Sequence, residues 1–167
     1  QFGRFEARMK LPQGRGLWPA FWLLGEDCKK WPDCGEIDIM ENVGSKLTTV
    51  LGTIHGPGYS GDKGISRHYE LPHGETVSDG FHVYAVEWEP ASIRFYMDGV
   101  LYATTTPADL PAGTRWVFDH PFFIILNLAV GGNLPGSPAA ETKFPQSMLV
   151  DYVRVYEQRP SVAAAAK

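Results

Sequence analysis

The sequence lacks long apolar runs, a basic patch and internal repeats, and it has only two cysteines among its 167 residues. Because no run of 18 apolar residues occurs, we expect no membrane-spanning helix. The net charge of −4, without a basic stripe, makes nucleic acid and anionic membranes poor candidate partners. No signal peptide is visible at the N-terminus, although a mature chain would have lost one.

The two cysteines, Cys28 and Cys34, lie close together with no histidine nearby. Two thiols alone make a weak metal site, so the spacing favours a disulfide that closes a small loop and contributes about 2 kcal/mol. Two free thiols are the alternative. A disulfide is typical of a secreted or periplasmic protein, and we predict that localisation.

Aromatic residues make up 13% of the chain, and 18 Gly and 13 Pro accompany them. This composition favours many short strands and turns over long helices. We count about nine candidate strands, with a strong two-residue hairpin signal at Asp98-Gly99. The prediction is an all-β antiparallel sandwich formed by one domain over residues 1–158, followed by an alanine-rich tail over 159–167.

One acidic stretch, residues 35–44, breaks the local rules of strand composition. Ile37 and Ile39 recur at period two and would face a core, while Glu36 and Asp38 share the opposite face. Acidic residues are depleted in strands, so their presence here indicates either a functional site or the solvated face of an edge strand.

Glu41 conflicts with that alternation, because a regular strand would point it into the core. A buried unpaired Glu is costly. One extra residue around positions 39–40, accommodated as a β-bulge, shifts the alternation by one. We therefore predict a bulge that places all three carboxylates on one open face.

Other polar and aromatic side chains are candidates for the same face. Glu6 and Arg8 lie on the polar parity of the first strand, where they could bind a ligand or simply face solvent. Trp18 and Trp22 lie four residues apart, on one face of a strand. They would either form an aromatic floor on which a sugar stacks or pack in the core. Asn127 interrupts an apolar strand and needs hydrogen-bond partners, structural or from a ligand.

Two carboxylic acids on one face, among aromatic rings, suit glycoside hydrolysis. One acid protonates the leaving sugar oxygen, and the other attacks or activates water. A third acid between them can hold their protonation states apart, since neighbouring like charges raise one pKa. Flat aromatic rings complement the apolar faces of sugars.

An ordered series of motifs resembles glycoside hydrolase family 16, specifically its laminarinase-type endo-β-1,3-glucanases. The acidic motif Glu-Ile-Asp-Ile-Met-Glu is preceded by Trp-Pro-Ala-Phe-Trp, and the similarity covers nearly the whole chain up to about residue 158. The matching segments are 18–22, 36–41, 55–61, 81–84, 86–88, 97–99, 127–132 and 150–156.

The resemblance implies a β-jelly-roll with a concave substrate cleft and a retaining double displacement. On matching positions, Glu36 is the nucleophile, Glu41 the general acid/base and Asp38 the assisting carboxylate. Retention predicts that the Glu36 and Glu41 carboxyls lie roughly 5–5.5 Å apart. The predicted substrate is a β-1,3-glucan.

The resemblance also implies the residues that line the cleft. These are Trp18, Trp22, His55, Glu6, Arg8 and Asn127, with Trp116 a weaker candidate. No cofactor is required for catalysis. The family often carries a structural calcium, and Asp151 matches one of its ligands.

Members of the family usually have several dozen residues before the first strand of this chain. We therefore expect a fragment, a truncated reading frame, or a sheet completed by other residues, including a second copy of the chain. The rival functions are a mixed-linkage β-1,3-1,4-glucanase, an agarase-like galactanase, or a non-catalytic glucan-binding protein. The six-residue acidic motif argues against branches of the family whose motif is one residue shorter.

Overall fold

The computed structural model describes residues 1–26 and 28–157; the predicted tail over 159–167 lies outside them. The described residues form ten strands and three short 3-10 turns, and none of their helices has the length and apolar character to cross a membrane. The strands are β1 (Gly3–Lys10), β2 (Leu17–Gly25), β3 (Glu36–Glu41), β4 (Thr49–His55), β5 (Ile65–Glu70), β6 (His82–Glu89), β7 (Ser92–Met97), β8 (Val100–Thr105), β9 (Phe122–Val130) and β10 (Leu149–Tyr156).

The strands form two antiparallel sheets of five. The order is β10-β1-β6-β7-β8 in one, which we call the β1 sheet, and β5-β4-β3-β2-β9 in the other, which we call the β3 sheet. Apolar residues at period two on both sheets meet in a shared core; on β7, Ile93, Phe95 and Met97 are buried while their neighbours are partly exposed. The predicted all-β jelly-roll sandwich is confirmed.

The hairpin between β7 and β8 turns at Asp98 and Gly99, as predicted. Both residues have positive φ, 49° and 81°, which is the backbone that a two-residue hairpin of matching twist requires. Glycine adopts this conformation without strain, and aspartate tolerates it better than most residues.

The predicted bulge lies in β3. Phe21 of β2 pairs with Met40 and Trp22 pairs with Asp38, so Ile39 is the extra residue between them. Both Ile39 and Met40 are buried in the core. The bulge accommodates one extra residue, so the Glu41 side chain lies on the same face of the sheet as Asp38.

The edges formed by β9 and β10 are open to solvent. On β10, Val153 and Val155 pair with Ala7 and Phe5, which are core residues of β1, and therefore face inward. They are nevertheless 38% and 50% exposed. The core is thus incompletely covered along the β10 edge.

Candidate active site

The three carboxylates of β3 lie together on the outer face of the β3 sheet, with His55 of β4 beside them. His55 pairs in register with Glu36, and its Nε2 lies 3.1 Å from Asp38 Oδ2 and 3.9 Å from Glu36 Oε1. Asp38 is 3% exposed, so it is the most deeply buried of the three acids. A side chain at Gly64 would collide with the His55 ring, so glycine makes room for it.

Indole N–H groups hold the two glutamates. Trp18 Nε1 donates to Glu41 Oε1 at 2.9 Å, and Trp31 Nε1 donates to Glu36 Oε2 at 2.6 Å. Each of these hydrogen bonds is charge-assisted, and therefore stronger, when its glutamate is ionised. The two outermost acids of the motif are therefore each fixed by a tryptophan.

The predicted aromatic floor is present on β2. Trp18 and Trp22 are partly exposed, while Leu17, Phe21 and Leu23 of the opposite parity are buried. Trp22 Nε1 donates to Asn127 Oδ1 of β9 at 2.7 Å. Asn127 thus finds its partner on this face rather than in the core.

The surface continues past Glu41 along β4 and β5. Glu41 pairs with Leu51, which pairs in turn with His68. Leu51 and His68 line a cavity of about 400 Å³, together with Val43, Lys46, Thr49, Glu70 and Leu134. The carboxylates therefore lie between this cavity and the tryptophan floor.

Burial and mutual repulsion raise the pKa values of all three acids on this face. Burial, followed by the Asp38 charge, raises the pKa of Glu36 to about 7. Burial raises the pKa of Asp38 well above its usual value and also raises that of Glu41, with neighbouring carboxylates adding to both. Burial lowers the pKa of His55, which favours its neutral form. The site therefore keeps protons on its carboxyls that exposed carboxyls would lose.

We expect Glu36→Gln to stabilise the fold at alkaline pH. The pKa of Glu36 is about 7 when folded, against 4.5 for an ordinary Glu, so ionisation above pH 4.5 favours the unfolded chain and stability falls as pH rises to about 7. Removing that carboxyl should raise the free energy of unfolding at pH 8 by about 1–3 kcal/mol, since one pKa unit corresponds to about 1.4 kcal/mol before solvent screening. Urea unfolding at several pH values measures it.

The matched control is Glu70→Gln on β5. Thr49 and Thr48 donate hydrogen bonds that lower the pKa of Glu70, so its carboxylate favours the folded state and its removal should give no gain at pH 8. A gain for Glu36→Gln that persisted undiminished at pH 4 would contradict the account of Glu36.

Comparison with known proteins identifies the family to which this chain belongs. A family model described as "Glycosyl hydrolases family 16" matches residues 1–154. The chain belongs to this family. The relatives that it matches include the "Beta-glucanase" of Rhodothermus marinus, 44% identical, with the match covering 93% of this chain and 57% of that protein.

Two solved structures share the fold closely. The laminarinase catalytic domain from Thermotoga maritima is 50% identical with a TM-score of 0.92, over 95% of this chain and 65% of that one. The endo-β-1,3-glucanase from Pyrococcus furiosus is 56% identical with a TM-score of 0.88, over 92% of this chain and 60% of that one. The chain thus spans less than two thirds of the length of these two solved chains.

The prediction that Glu6 and Arg8 line the cleft is wrong. Both lie on β1, where Phe5, Ala7 and Met9 face the core, so they face outward from the sheet opposite to the carboxylates. Glu6 accepts from Arg4 and Tyr156, and Arg8 donates to Asp151. Parity identifies the polar face of a strand, but it does not say to which sheet the strand belongs.

Trp116, the weaker cleft candidate, is partly buried. Its ring packs against the core, 4.8 Å from Phe118 in an edge-on contact, and its Nε1 is buried without a partner among the described residues. That its exposed part lines the cleft stays a prediction. Aromatic character alone does not distinguish a core ring from a cleft ring.

Asp151 lies outside any cluster of three or more His, Cys, Asp or Glu side chains among the described residues, and its role as a calcium ligand stays a prediction. Calcium takes six to eight oxygen ligands, whereas the Asp151 carboxylate lies 2.7 Å from the Arg8 guanidinium. In residues 1–26 and 28–157, the one cluster with suitable atoms within 4.8 Å is Glu36, Asp38 and His55. His55 lies beside both carboxylates, and Trp31 donates to Glu36; we assign no metal to them.

Trp31 is the site residue that sequence reasoning missed. It lies in the loop closed by the confirmed Cys28–Cys34 disulfide, where no strand alternation indicates a direction. The signal available in the sequence was its position, five residues before Glu36 and inside a cross-linked loop.

Proposed function

We propose that the protein is a retaining endo-glycoside hydrolase that cleaves β-1,3-glucan of the laminarin type. One observation supports this most strongly. Glu36, Asp38 and Glu41 share one face through the bulge, and an indole N–H holds each glutamate. Two positioned acids beside a tryptophan floor are the groups that double displacement needs.

In the first step Glu36 attacks the anomeric carbon of a bound glucose unit. A C–O bond forms to the Glu36 carboxylate as the glycosidic C–O bond breaks, and its electron pair goes to the leaving oxygen. Glu41 gives its proton to that oxygen, so the shortened glucan leaves as a neutral alcohol. Because burial raises the pKa of Glu41, this carboxyl holds its proton to a higher pH than an ordinary Glu does.

In the second step Glu41 acts as a base. It takes a proton from water as the water oxygen attacks the anomeric carbon, and the bond to Glu36 breaks. The Glu36 carboxylate and the Glu41 acid are restored. Two inversions at one carbon give net retention of configuration.

Asp38 keeps the nucleophile ionised in this scheme. It is almost fully buried, and that burial raises its pKa well above the ordinary value. Glu36 is more exposed and receives the Trp31 N–H. Deeper burial of Asp38 and the N–H on Glu36 both favour placing a shared proton on Asp38, which leaves Glu36 able to attack.

The two sides of the site suit the two parts of a chain substrate. Trp22 and Asn127 would stack and hydrogen-bond glucose units on one side. The cavity beyond Glu41, lined by Leu51 and His68, would hold the leaving portion. A surface open on both sides of the acids favours internal cleavage.

Reducing-sugar release from laminarin, lichenan and agarose, compared side by side, tests the substrate. We expect the highest kcat/KM on laminarin, and we expect its products to show that cleavage occurs within the glucan chain. Preferred cleavage of lichenan would support a mixed-linkage glucanase, and preferred cleavage of agarose a galactanase. Retained laminarin binding without turnover by the folded protein would identify a glucan-binding protein.

We also propose where the protein is located and how it assembles. The disulfide supports a secreted or periplasmic protein. We also propose that a second copy covers the exposed apolar side chains of β10, among them Val153 and Val155. Light scattering after size exclusion should then give a dimer mass, which Val153→Lys should reduce to that of a monomer.

A further inference from the structure

The loop between β2 and β3 is cross-linked at its base and crosses the end of the carboxylate row. Cys28 and Cys34 are joined, and the Gly25 N–H donates to the Gly35 carbonyl at 3.1 Å. Gly25 packs directly against the Cys34 backbone, where a Cβ would collide. The loop thus has a firmly held base next to Glu36, the first residue of β3.

Trp31 reaches from this loop to the candidate nucleophile. Its Nε1 donates to Glu36 Oε2 at 2.6 Å, and its ring centroid lies 5.9 Å from that of His55. The side chain is nevertheless 45% exposed, and it is absent from the described apolar residues that pack on the core. Its position therefore depends on the loop and on this hydrogen bond rather than on burial.

This contact distinguishes the two oxygens of Glu36. Oε2 is occupied by the Trp31 N–H, whereas Oε1 faces His55 at 3.9 Å. A carboxylate tethered through one oxygen presents the other in a fixed direction, which is what an in-line attack on a bound sugar requires.

We propose that Trp31 is a positioning residue for Glu36 and that the Cys28–Cys34 disulfide holds it there, so that reducing this bond weakens the alignment of the nucleophile. This rests on the proposed function for the role of Glu36 in catalysis. The alternative is that the disulfide only stabilises the fold, by about 2 kcal/mol for so small a loop.

The pH dependence of the reaction separates the two explanations. The Trp31 hydrogen bond lowers the pKa of Glu36 against the larger effects of burial and Asp38. Its loss should therefore raise that pKa further. The nucleophile would then ionise at higher pH, and the acid limb of the kcat/KM profile should move upward. A disulfide that served only stability would leave the limb in place.

The experiment compares the oxidised full chain with Trp31→Phe, which keeps an apolar ring and removes the N–H, and with a Cys28→Ser, Cys34→Ser variant. We expect both to move the acid limb on laminarin upward by about 0.5–1 pH unit, the size of one hydrogen bond to a charged group at a half-exposed site. Combining the changes should give little further shift, since both act through one contact.

Trp22→Phe is the matched control, because its N–H reaches Asn127 rather than a carboxylate; whatever its effect on rate, the acid limb should stay. An unmoved limb in both test variants, with only a lower unfolding temperature for the serine variant, would overturn the proposal. If the oxidised chain hydrolyses no glucan, the proposed function fails. The positioning role is then decided by the Glu36 carboxyl titration followed by NMR, which should move upward in Trp31→Phe and would refute the role by staying unchanged.

Discussion

Glu36→Gln should abolish laminarin hydrolysis while leaving laminarin binding within a few-fold of the wild type. Gln keeps the shape of Glu and still accepts the Trp31 N–H, but it has no anionic oxygen to attack the anomeric carbon. Losing a nucleophile costs on the order of 10⁴-fold or more in kcat. Reducing-sugar assays and calorimetric titration with laminarin oligosaccharides measure the two properties on one sample.

The control for this variant is Glu75→Gln, an exposed acid in the connection between β5 and β6, which should keep full activity. A second variant, Glu36→Ala, leaves space for azide on the face from which Glu36 attacks. Azide should then restore turnover of an activated β-glycoside and give a product of inverted configuration. Ordinary hydrolysis by Glu36→Gln would remove Glu36 from the mechanism.

Glu41→Ala should lower kcat/KM on laminarin by about 10²–10⁴-fold, the usual contribution of a general acid. The loss should depend on the leaving group. A sugar alcohol needs the proton that Glu41 supplies, whereas a dinitrophenolate leaves without one, so the first step on a dinitrophenyl laminaribioside should be nearly unaffected. Burst kinetics, which separate the first step from the second, provide the measurement.

The same variant has a diagnostic rescue. Azide should accelerate breakdown of the glycosyl-enzyme without needing a base, and its product should keep the β configuration. The fall of kcat/KM on the basic limb of the pH profile should also disappear, because the proposed mechanism assigns that limb to ionisation of Glu41. Equal losses on laminarin and on the dinitrophenyl substrate would contradict the assignment of Glu41 as the acid.

The strand pattern carried enough information to predict the carboxylate row. Regular alternation along β3 would bury the charged Glu41. A bulge avoids that burial, and the structure has a bulge at Ile39. The same alternation on β2 separated Trp18 and Trp22 from the core residues between them. Periodicity decides which way a side chain points within its own strand.

Periodicity did not decide which strands share a surface. Glu6 and Arg8 have the parity of ligand-binding groups, but β1 lies in the sheet opposite to β3, and only long-range pairing determines that. Trp31 posed a different difficulty. Its contact with Glu36 depends on a loop whose path is set by a cross-link and by backbone hydrogen bonds, and neither leaves a repeating pattern in the sequence.

The most direct test of the account is to trap the glycosyl-enzyme. A 2-deoxy-2-fluoro laminaribiosyl fluoride should react with the full chain, because fluorine at C2 destabilises both transition states while the fluoride leaving group keeps the first step accessible. Intact mass should increase by one laminaribiosyl unit, and peptide mapping should place that unit on Glu36. A label on Glu41 or on another residue, or laminarin hydrolysis with inverted configuration and no label, would contradict the account.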